Sequence, residues 1–374
     1  MNISILSALI FIAVFAGVVF IHEFGHFIVA RLLKVEVEEF GFGLPPRMLT
    51  LFHWKGTEFT LNWLPIGGFV RPKGENDPNI AGGLAAASPW TRLVVLLAGP
   101  TMNLLLGVVV FSLLFFQMGV PDYTKVQISD VMADSPAAQA GLKANDVVLT
   151  ANGETINDST KLHDIIYAKL DQPVLFTVRR GAETISLTAT PSSKRPQNQG
   201  ALGISMGPAM VPSGSVTTSL QYGSLAVYEQ TRMLILLPAQ MIRGQISPQE
   251  SRFVGLKGIY DLFGQAVSRD VQSREPVASS SQAAAPAVPQ TPTFFTLQLI
   301  GILTISLGVL NLFPFPALDG GRILFVLPEL VLRRRIPSQW ENGINAAGMA
   351  LLLIFMVYVN VMDFVNPAIV NLPK

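Results

Sequence analysis

Long uncharged apolar runs alternate along this chain with mixed polar segments. Four of the runs, at residues 3–21, 93–118, 294–315 and 344–362, are long enough at about 1.5 Å per residue to cross most of a roughly 30 Å hydrocarbon core. The first could instead be a cleaved signal peptide, since Val14 and Ala16 could precede a cleavage site, but no Lys or Arg comes before it. The pattern predicts a polytopic α-helical membrane protein with four transmembrane helices.

Basic residues in the short loops predict the orientation of these spans. The N-terminus has no Lys or Arg, and the C-terminal tail has only Lys374. The first-to-second and third-to-fourth loops are basic, with Arg31, Lys34, Arg47, Lys55, Arg71, Lys73 and Arg92 in one and Arg322, Arg333, Arg334 and Arg335 in the other. Both loops are therefore expected in the cytoplasm, and both termini and the long segment 119–293 on the other side.

Residues 126–206 of this outer segment alternate short strand and helix patterns. Strands are predicted at 126–131, 147–151, 174–179 and 183–189, with a short helix at 135–140 and a longer one at 160–170. Asn152-Gly153 is a strong hairpin signal because both positions tolerate positive φ, and Arg180-Gly181 joins the last two strands. The sequence therefore predicts a small inserted α/β domain at 119–206.

The loop between the first two spans carries a different pattern. Apolar residues alternate at Phe59, Leu61 and Trp63, among several glycines. Alternation of this kind is typical of half-buried strands. We therefore predict a membrane-associated β-hairpin at about 35–75, within a first domain that covers 1–118.

Two segments separate the α/β domain from the third span. Residues 207–275 are expected to be an interfacial helical region, in which 225–242 are apolar but broken by Glu229, Arg232 and Pro238. Either an amphipathic surface helix or a fifth span fits 225–242. Residues 276–293 are too poor in large apolar side chains to build a core and are predicted to be a linker. The last domain, 294–374, holds the final two spans.

Composition excludes several functions. Of the 374 residues, 50% are hydrophobic and 14% charged, whereas an ordinary soluble protein has about 25% charged residues. The formal net charge of +1 gives no strong positive electrostatic potential to attract a polyanion, so no nucleic-acid partner is expected. The absence of cysteine excludes disulfides, cysteine zinc sites and iron–sulfur clusters.

The first apolar run ends in His22-Glu23-Phe24-Gly25-His26, an H-E-x-x-H motif. Positions i and i+4 share a helix face, so two imidazoles can bind one zinc ion while the adjacent glutamate reaches the attacking water. Ionisable groups near hydrocarbon depth are expensive and are functional candidates by default. The alternative is a polar helix end in the interfacial zone. The motif predicts a zinc site on the first span.

Catalytic zinc normally has three protein ligands and one open position. Of the remaining candidates, His53 lies in the polar cytoplasmic loop and His163 in the outer domain. Asp319, in NLFPFPALDGGR (311–322), lies at the inner end of the third span, on the same side as the histidines. A helix N-cap or a turn residue before two glycines is the alternative for Asp319. A fifth span at 225–242 would reverse the third helix and separate Asp319 from the histidines, so we predict that 225–242 lie along the outer surface.

Together these segments resemble the site-2 protease family of intramembrane zinc metalloproteases, in its bacterial PDZ-containing branch. The resemblance covers the first helix, LPIGGFV (64–70), AGPTMNLLLG (98–107), the outer domain and NLFPFPALDGG. It implies that His22, His26 and Asp319 bind one Zn2+ per chain and that Glu23 is the general base and acid. It also implies substrate binding near Gly67, Gly68, Asn103, Asn311, Pro314 and Pro316, and a location in the bacterial cytoplasmic membrane.

The PDZ resemblance depends mainly on SPAAQAGLKANDVVLTANGETI (135–156). In PDZ domains, backbone N–H groups of one loop capture a peptide C-terminal carboxylate, and the peptide adds to the sheet as an edge strand. Leu202, Gly203 and Ile204 resemble that loop, although a simple turn fits them nearly as well. A single PDZ-like unit is present, where some family members have two in tandem.

The resemblance implies proteolysis within the bilayer, with transmembrane segments of membrane-anchored regulators or signal-peptide remnants as substrates. A transmembrane helix hides its amides in internal hydrogen bonds, so it must unwind before hydrolysis. Two other functions agree less well with the sequence. An inactive membrane adaptor would need a degraded metal site, whereas all four expected groups are present. A metal-ion transporter would need ionisable groups strung along the spans, whereas here they cluster at one level.

Overall fold

The computed structural model describes residues 3–194, 199–245, 253–274 and 294–366, and the predicted linker at 276–293 lies outside them. The chain forms two compact units. The membrane unit contains the described residues up to Leu114 and from Leu220 onward, and the sheet domain contains Phe115–Ser219.

Helices dominate the membrane unit. Its elements are α1 (Ile3–Leu32), β1 (Val37–Trp54), β2 (Thr57–Pro72), α2 (Pro89–Met118), α5 (Val216–Ile242), α6 (Leu256–Gln272), α7 (Phe295–Asn311), α8 (Asp319–Leu332) and α9 (Ser338–Val365), with α2 and α5 extending to the boundary with the sheet domain. Within the described residues, α1, α2 and α9 are long and apolar enough to cross a membrane. The remaining predicted span is α7, an apolar helix of 17 residues. At 1.5 Å per residue it is about 25 Å long, somewhat short of the hydrocarbon core.

Helices α1 and α2 are antiparallel and meet at the histidine motif. His22 contacts Asn103, and one turn later His26 contacts Val95. The close approach depends on Gly25, where a Cβ would lie 2.6 Å from the Ala98 carbonyl oxygen. Glycine is therefore required at this helix crossing.

Helix α7 is also antiparallel to α2. A Cβ at Gly301 would meet the Phe111 ring, and a Cβ at Gly308 would lie 3.0 Å from the carbonyl oxygen of Pro100. Because α1 and α7 are each antiparallel to α2, they run in the same direction. This shared direction brings the end of α7 to the level of the histidines, as the sequence predicted.

The predicted hairpin is present, with a strand order richer than a simple hairpin. The first half of β1 lies between two parts of β2, since Phe40 is opposite both Phe59 and Val70. Phe52, in the second half of β1, is also opposite Phe59. The segments are thus ordered 68–72, 37–44, 57–62 and 47–54, with 68–72 at one edge. Exposed large apolar side chains on this sheet, including Met48, Leu51, Phe52, Trp54 and Trp63, agree with the predicted membrane association.

Helix α5 packs its first half against α2. A Cβ at Gly223 would lie 2.7 Å from the Ser112 backbone nitrogen, and a Cβ at Gly107 would lie 3.4 Å from Val227. Successive contacts step along both helices, so this part of α5 runs antiparallel to α2. Most of 225–242 lies beyond these contacts, and its course along the outer surface stays a prediction.

Helix α6 packs between α1, α7 and α9. Phe263 is buried and contacts the Phe11 ring. The buried carboxylate of Asp363 accepts the N–H groups of Gly255 and Gly258, and Asp270 accepts those of Phe295 and Thr296 at the start of α7. Carboxylates at helix N-termini satisfy otherwise unpaired donors. Asp363 is near the C-terminal end of α9, whereas Asn345, near its start, contacts the loop before Asp319. Gly255 therefore lies at the end of α9 that is farther from this loop.

The sheet domain contains β3 (Val120–Val131), α3 (Pro136–Gln139), β4 (Val147–Ala151), β5 (Glu154–Thr155), α4 (Ser159–Ala168), β6 (Val174–Arg180), β7 (Glu183–Ala189) and β8 (Ile204–Val211). Its strand order is β7-β6-β4-β3-β8, with β5 on β4. Each predicted strand and helix of this domain is confirmed to within a few residues at its ends, except that β3 begins six residues earlier. Strand β8 was not predicted, because Gly207 and Pro208 lower its strand propensity; Pro208 is tolerated because β8 is an edge strand.

Candidate metal centre

Three side chains from two helices converge at the inner part of α1. The Nε2 atoms of His22 and His26 lie 3.2 Å apart, and the Asp319 Oδ2 atom lies 3.2 Å from the first and 3.3 Å from the second. In a tetrahedral zinc site with bonds of about 2.0–2.1 Å, neighbouring ligand atoms are roughly 3.3–3.4 Å apart. The triangle therefore has the size that a tetrahedral zinc ion needs. The fourth coordination position would be left for water or substrate.

The hydrogen-bond chemistry of the triangle also calls for a cation. His26 Nδ1 lies 2.8 Å from the Val95 carbonyl oxygen, an acceptor, so Nδ1 carries the proton and Nε2 presents a lone pair. That lone pair faces the Asp319 carboxylate. Asp319 Oδ2 is itself buried and has no hydrogen-bond partner among the described residues. Acceptors that face each other in a buried site are stable together only with a cation between them, either a metal ion or a proton on one imidazole.

Glycines of α2 and α8 make room for the three ligands. A Cβ at Gly99 would overlap the His26 ring, 2.7 Å from Cδ2 and closer still to Nε2. Gly320 and Gly321, which follow Asp319, are buried against backbone carbonyls of the preceding loop, where a Cβ would clash. The glycines of the LDGG sequence therefore let the start of α8 pack closely enough to aim Asp319 at the histidines.

Asn103 lies on the far side of His22. Its side chain is fully buried, and its Nδ2 lies 3.3 Å from His22 Nδ1. The amide oxygen has no hydrogen-bond partner among the described residues. The sequence predicted Asn103 among the substrate-binding residues; in the structure its side chain is covered by protein and contacts His22.

Glu23 lies between the metal centre and the edge of the hairpin sheet. Its Oε2 accepts the backbone N–H of Val70 at 3.1 Å. Gly68, two residues earlier on the same edge, would bring a Cβ to 3.9 Å from Glu23 Cγ. Since alternate residues of a strand present their N–H groups to the same edge, Gly68 and Val70 face outward together.

A cavity of about 330 Å³ opens from the metal centre, and Asn311, Asn345, Arg322 and Glu75 line it with the three ligands and Glu23. Arg322 forms an ion pair with Glu75. Burial alone would lower the pKa of the Arg322 guanidinium, but the carboxylates of Glu75 and Asp319 outweigh it and hold that pKa above its ordinary value. The cavity wall thus contains a guanidinium that stays protonated and is paired with a carboxylate.

The other predicted site residues fall into different places. Asn311 lines the cavity, as expected for a substrate contact. Pro314 is exposed, and Pro316 packs against Gly348 of α9 instead of facing the cavity. Gly67 and Gly68 border a second cleft beside Glu23. His53 and His163, which the sequence excluded as ligands, have side chains that are more than half exposed, and neither belongs to the ligand triangle or lines its cavity.

The predicted PDZ ligand loop is largely used inside its own domain. Leu202 belongs to the buried core, and the Gly203 N–H donates to the Gly200 carbonyl. Gly203 has a φ of +70°, which glycine adopts without strain. Of the three predicted residues, Ile204 begins the edge strand β8. The Leu202 side chain and the Gly203 N–H are thus used within the domain, and capture of a carboxylate by backbone N–H groups of this loop stays a prediction.

Sequence reasoning missed several residues that build the centre. Gly99, Val95 and Asn345 carry no charge or metal-binding atom, so no spacing rule selects them. Asn345 accepts the N–H of Ala317, which has a φ of +76°, two residues before Asp319. The sequence signal was indirect: Gly99 adjoins Pro100 within the AGP stretch of a span, where glycine indicates a close helix contact.

Two histidines on α1, a helix apolar enough to cross a membrane, and a carboxylate at the start of α8 form a triangle beside Glu23. This combination is typical of a membrane-embedded metalloprotease. The chain belongs to peptidase family M50, the site-2 protease family, whose model matches residues 10–355. It is a zinc metalloprotease.

Relatives named as metalloproteases match nearly the whole chain. A zinc metalloprotease by name from Clostridium perfringens is 30% identical over 355 residues, covering 94% of this chain and 97% of its own. The metalloprotease MmpA of Caulobacter vibrioides is 27% identical and covers 92% of both chains. The zinc metalloprotease RasP of Geobacillus kaustophilus is 27% identical and covers 94% of this chain and 96% of its own. Among solved structures, the PDZ domain of an SdrC-like protein from Listeria monocytogenes is 22% identical, with a TM-score of 0.21, and covers 22% of this chain and 88% of its own.

Proposed function

We propose that this protein hydrolyses peptide bonds within transmembrane segments, with one zinc ion held by His22, His26 and Asp319. The observation that carries the proposal is the triangle of 3.2–3.3 Å between the three ligand atoms, with Glu23 beside it. Bound zinc would polarise the scissile carbonyl and make a water molecule more acidic. Membrane-anchored regulators and signal-peptide remnants are the proposed substrates, as in regulated intramembrane proteolysis.

Glu23 is the proposed general base and acid. It adjoins His22 in the motif and borders the same cavity as both histidines. Glu23 takes the proton of the attacking water and later delivers it to the leaving amine. The Val70 N–H holds the carboxylate at the sheet edge, so a substrate that reaches this edge meets the base and the metal site together.

The substrate strand is proposed to pair with the edge at 68–72. An unwound transmembrane segment exposes backbone groups that need partners in a nonpolar environment. Gly68 and Val70 present edge groups next to Glu23, and strand addition would satisfy the substrate backbone. Asn311, on the opposite wall of the cavity, can donate its amide to the carbonyl that undergoes attack. Hydrolysis would therefore follow unwinding and strand pairing.

Val95 and Asn103 are proposed to orient the two imidazoles. A histidine that binds zinc through Nε2 keeps its proton on Nδ1 and usually donates it to an acceptor. Val95 provides that acceptor for His26. For His22 the acceptor would be the Asn103 amide oxygen, which requires the amide to turn by about 180°, and its unpartnered oxygen supports this orientation. Asn103 is then a positioning residue.

The proposed membrane arrangement has four spans: α1, α2, α7 and α9. The parallel direction of α1 and α7 supports it, as does the basic character of the loops on the side of the metal centre. Helix α5 would enter the outer part of the bilayer beside α2 without crossing it. Gly255, thirteen residues after Ile242, contacts Asp363 at the end of α9 farther from the metal centre, which supports this arrangement. The active site is then near the cytoplasmic face.

The sheet domain is proposed to be a PDZ-like module outside the cytoplasm. Its edge strand β8 lies beside α4 in the same domain, an arrangement that suits addition of an extended peptide. A peptide C-terminus is the proposed ligand, held at the edge of β8. In this role the domain selects substrates and takes no part in hydrolysis, since the metal ligands and base belong to the membrane unit.

Purified protein in lipid nanodiscs tests the proposed chemistry. Glu23→Gln should retain zinc and lose hydrolysis of a model transmembrane substrate, whereas His22→Ala should lose zinc as well. His53→Ala is the matched control, because it removes an exposed imidazole outside the centre and should change neither. Turnover by Glu23→Gln equal to that of the wild type would refute the assignment of the base, and normal zinc content in His22→Ala would refute the metal site.

A further inference from the structure

A second, apolar cavity lies on the other side of Glu23 from the histidines. It has a volume of about 340 Å³ and is formed where α1 faces the hairpin sheet. Gly17 and Phe20 line it from α1, and Phe40, Phe42 and Leu61 line it from the sheet, with Glu23 at its rim. Because Glu23 borders both cavities, the apolar cleft adjoins the place where hydrolysis would occur.

The edge strand gives a substrate access to this cleft. Gly67 and Gly68, the first residues of the edge facing Glu23, also line the cleft. Gly67 has a φ of +88°, and neither residue carries a side chain that would separate a paired strand from the cleft. Side chains of an added strand alternate between the two faces of the sheet. One face meets the polar cavity with Arg322 and Glu75, and the other meets the cleft.

We propose that this cleft is a specificity subsite that takes one large apolar side chain, Leu or Phe, of a substrate residue flanking the scissile bond. The inference rests on the proposed function. The lining is complementary to such a side chain, and the volume exceeds the roughly 150 Å³ of a dry cavity that accommodates benzene. Residues of this class are abundant in transmembrane segments, so the subsite would fix the position of cleavage within an already apolar segment.

Gly17 makes the subsite testable. It lines the cleft, yet a Cβ at this position would meet no atom within 4 Å. A larger side chain at Gly17 can therefore fill the cleft without disturbing the packing of α1. Gly343 offers a matched control, because it is also a helical glycine with no atom within 4 Å of a Cβ, and it lines neither cavity.

The experiment uses the full-length, zinc-loaded protein in nanodiscs and a model transmembrane substrate whose cleavage site is mapped by mass spectrometry. Leu, Phe and Ala are placed in turn at each residue flanking the bond. At one of the two positions, wild type should prefer Leu or Phe over Ala by about 10- to 200-fold. In Gly17→Phe this ratio should fall towards one, whereas Gly343→Phe should keep the wild-type ratio.

Zinc content is measured on every variant, so that a change in the metal site is not taken for a change in specificity. Phe42→Ala, which enlarges the cleft, provides an independent variant and should shift the preference from Leu towards Phe. An unchanged ratio in both zinc-loaded variants would overturn the subsite. If the wild type cleaves no substrate at all, the proposed proteolysis itself fails.

Discussion

Replacing Gly99 by alanine should damage the metal centre directly, because the added Cβ would overlap the ring of a metal ligand. The three atoms nearest to a Cβ at Gly99 all belong to the His26 imidazole, with Cδ2 at 2.7 Å. Real Cβ contacts are rarely closer than 3.4 Å, so Cδ2 must retreat from 2.7 to at least 3.4 Å, and Nε2 must move farther. The hydrogen bond from His26 Nδ1 to Val95 opposes that movement.

The expected magnitude follows from the tolerance of zinc coordination. Ligand distances are normally within about 0.2 Å of their ideal values, and a displacement of about 0.7 Å exceeds that several-fold. Changes in groups that orient a ligand typically cost 10- to 100-fold in metal affinity. We expect Gly99→Ala to lower zinc affinity by about 100-fold, or roughly 2.7 kcal/mol. Helix propensity alone would make the alanine variant more stable by about 1 kcal/mol. A loss of thermal stability in Gly99→Ala would therefore report the clash directly.

Zinc affinity would be measured by competition with a chelator on protein in nanodiscs, together with thermal unfolding. Gly264→Ala is the control, since a Cβ at that helical glycine would meet no atom within 4 Å. In a double-mutant cycle, Gly99→Ala should cost nothing in thermal stability once His26→Ala has removed the ring. Wild-type zinc affinity in Gly99→Ala would refute the reasoning, as would an equal loss of stability in the presence and absence of the ring.

Three further predictions concern the surroundings of the site. Asn103→Leu should lower zinc affinity by about 10- to 100-fold while Asn103→Asp, which keeps an acceptor, stays within a few-fold of wild type in chelator competition; equal losses would contradict the positioning role. Deleting 126–206 should change which substrates are cut, as read by mass spectrometry of membrane peptides, and leave zinc content unchanged; complete inactivity of a zinc-loaded deletion protein would contradict this. Gln245→Cys should not react with an impermeant thiol reagent on the cytoplasmic side, where Lys34→Cys should react; labelling of both would mean that α5 crosses the membrane.

The sequence predicted the parts of the fold in which local pattern and tertiary structure agree. The strands and helices of the sheet domain were found because their apolar residues alternate and their turns contain Asn152-Gly153 and Gly181. The pattern failed at strand β8, because Gly207 and Pro208 lower its strand propensity. The contact of Gly223 in α5 with Ser112 in α2 also has no sequence signal, because it can be recognised only when the partner helix is known.

The same division applies to the metal centre. His22, Glu23 and His26 follow from a local spacing, and Asp319 follows from a chain direction that membrane topology restricts to few choices. The surroundings of Asn103 could not be predicted, because no property of the sequence distinguishes an amide that faces substrate from one that contacts an imidazole. The structure makes the distinction through burial and the 3.3 Å separation of Asn103 Nδ2 and His22 Nδ1.

The glycines around the metal centre explain how three polar ligands can be buried among apolar helices. Three metal ligands buried without a metal would leave acceptors facing one another, a costly arrangement in a nonpolar environment. A metal ion stabilises them only if all three reach it, which requires α1, α2 and α8 to approach more closely than side chains normally permit. Gly25, Gly99 and Gly320 provide that approach, each at a place where a Cβ would collide with a neighbour. Close helix packing and metal binding are therefore coupled, so removal of zinc should loosen the contact of α1 with α2 before it affects the sheet domain.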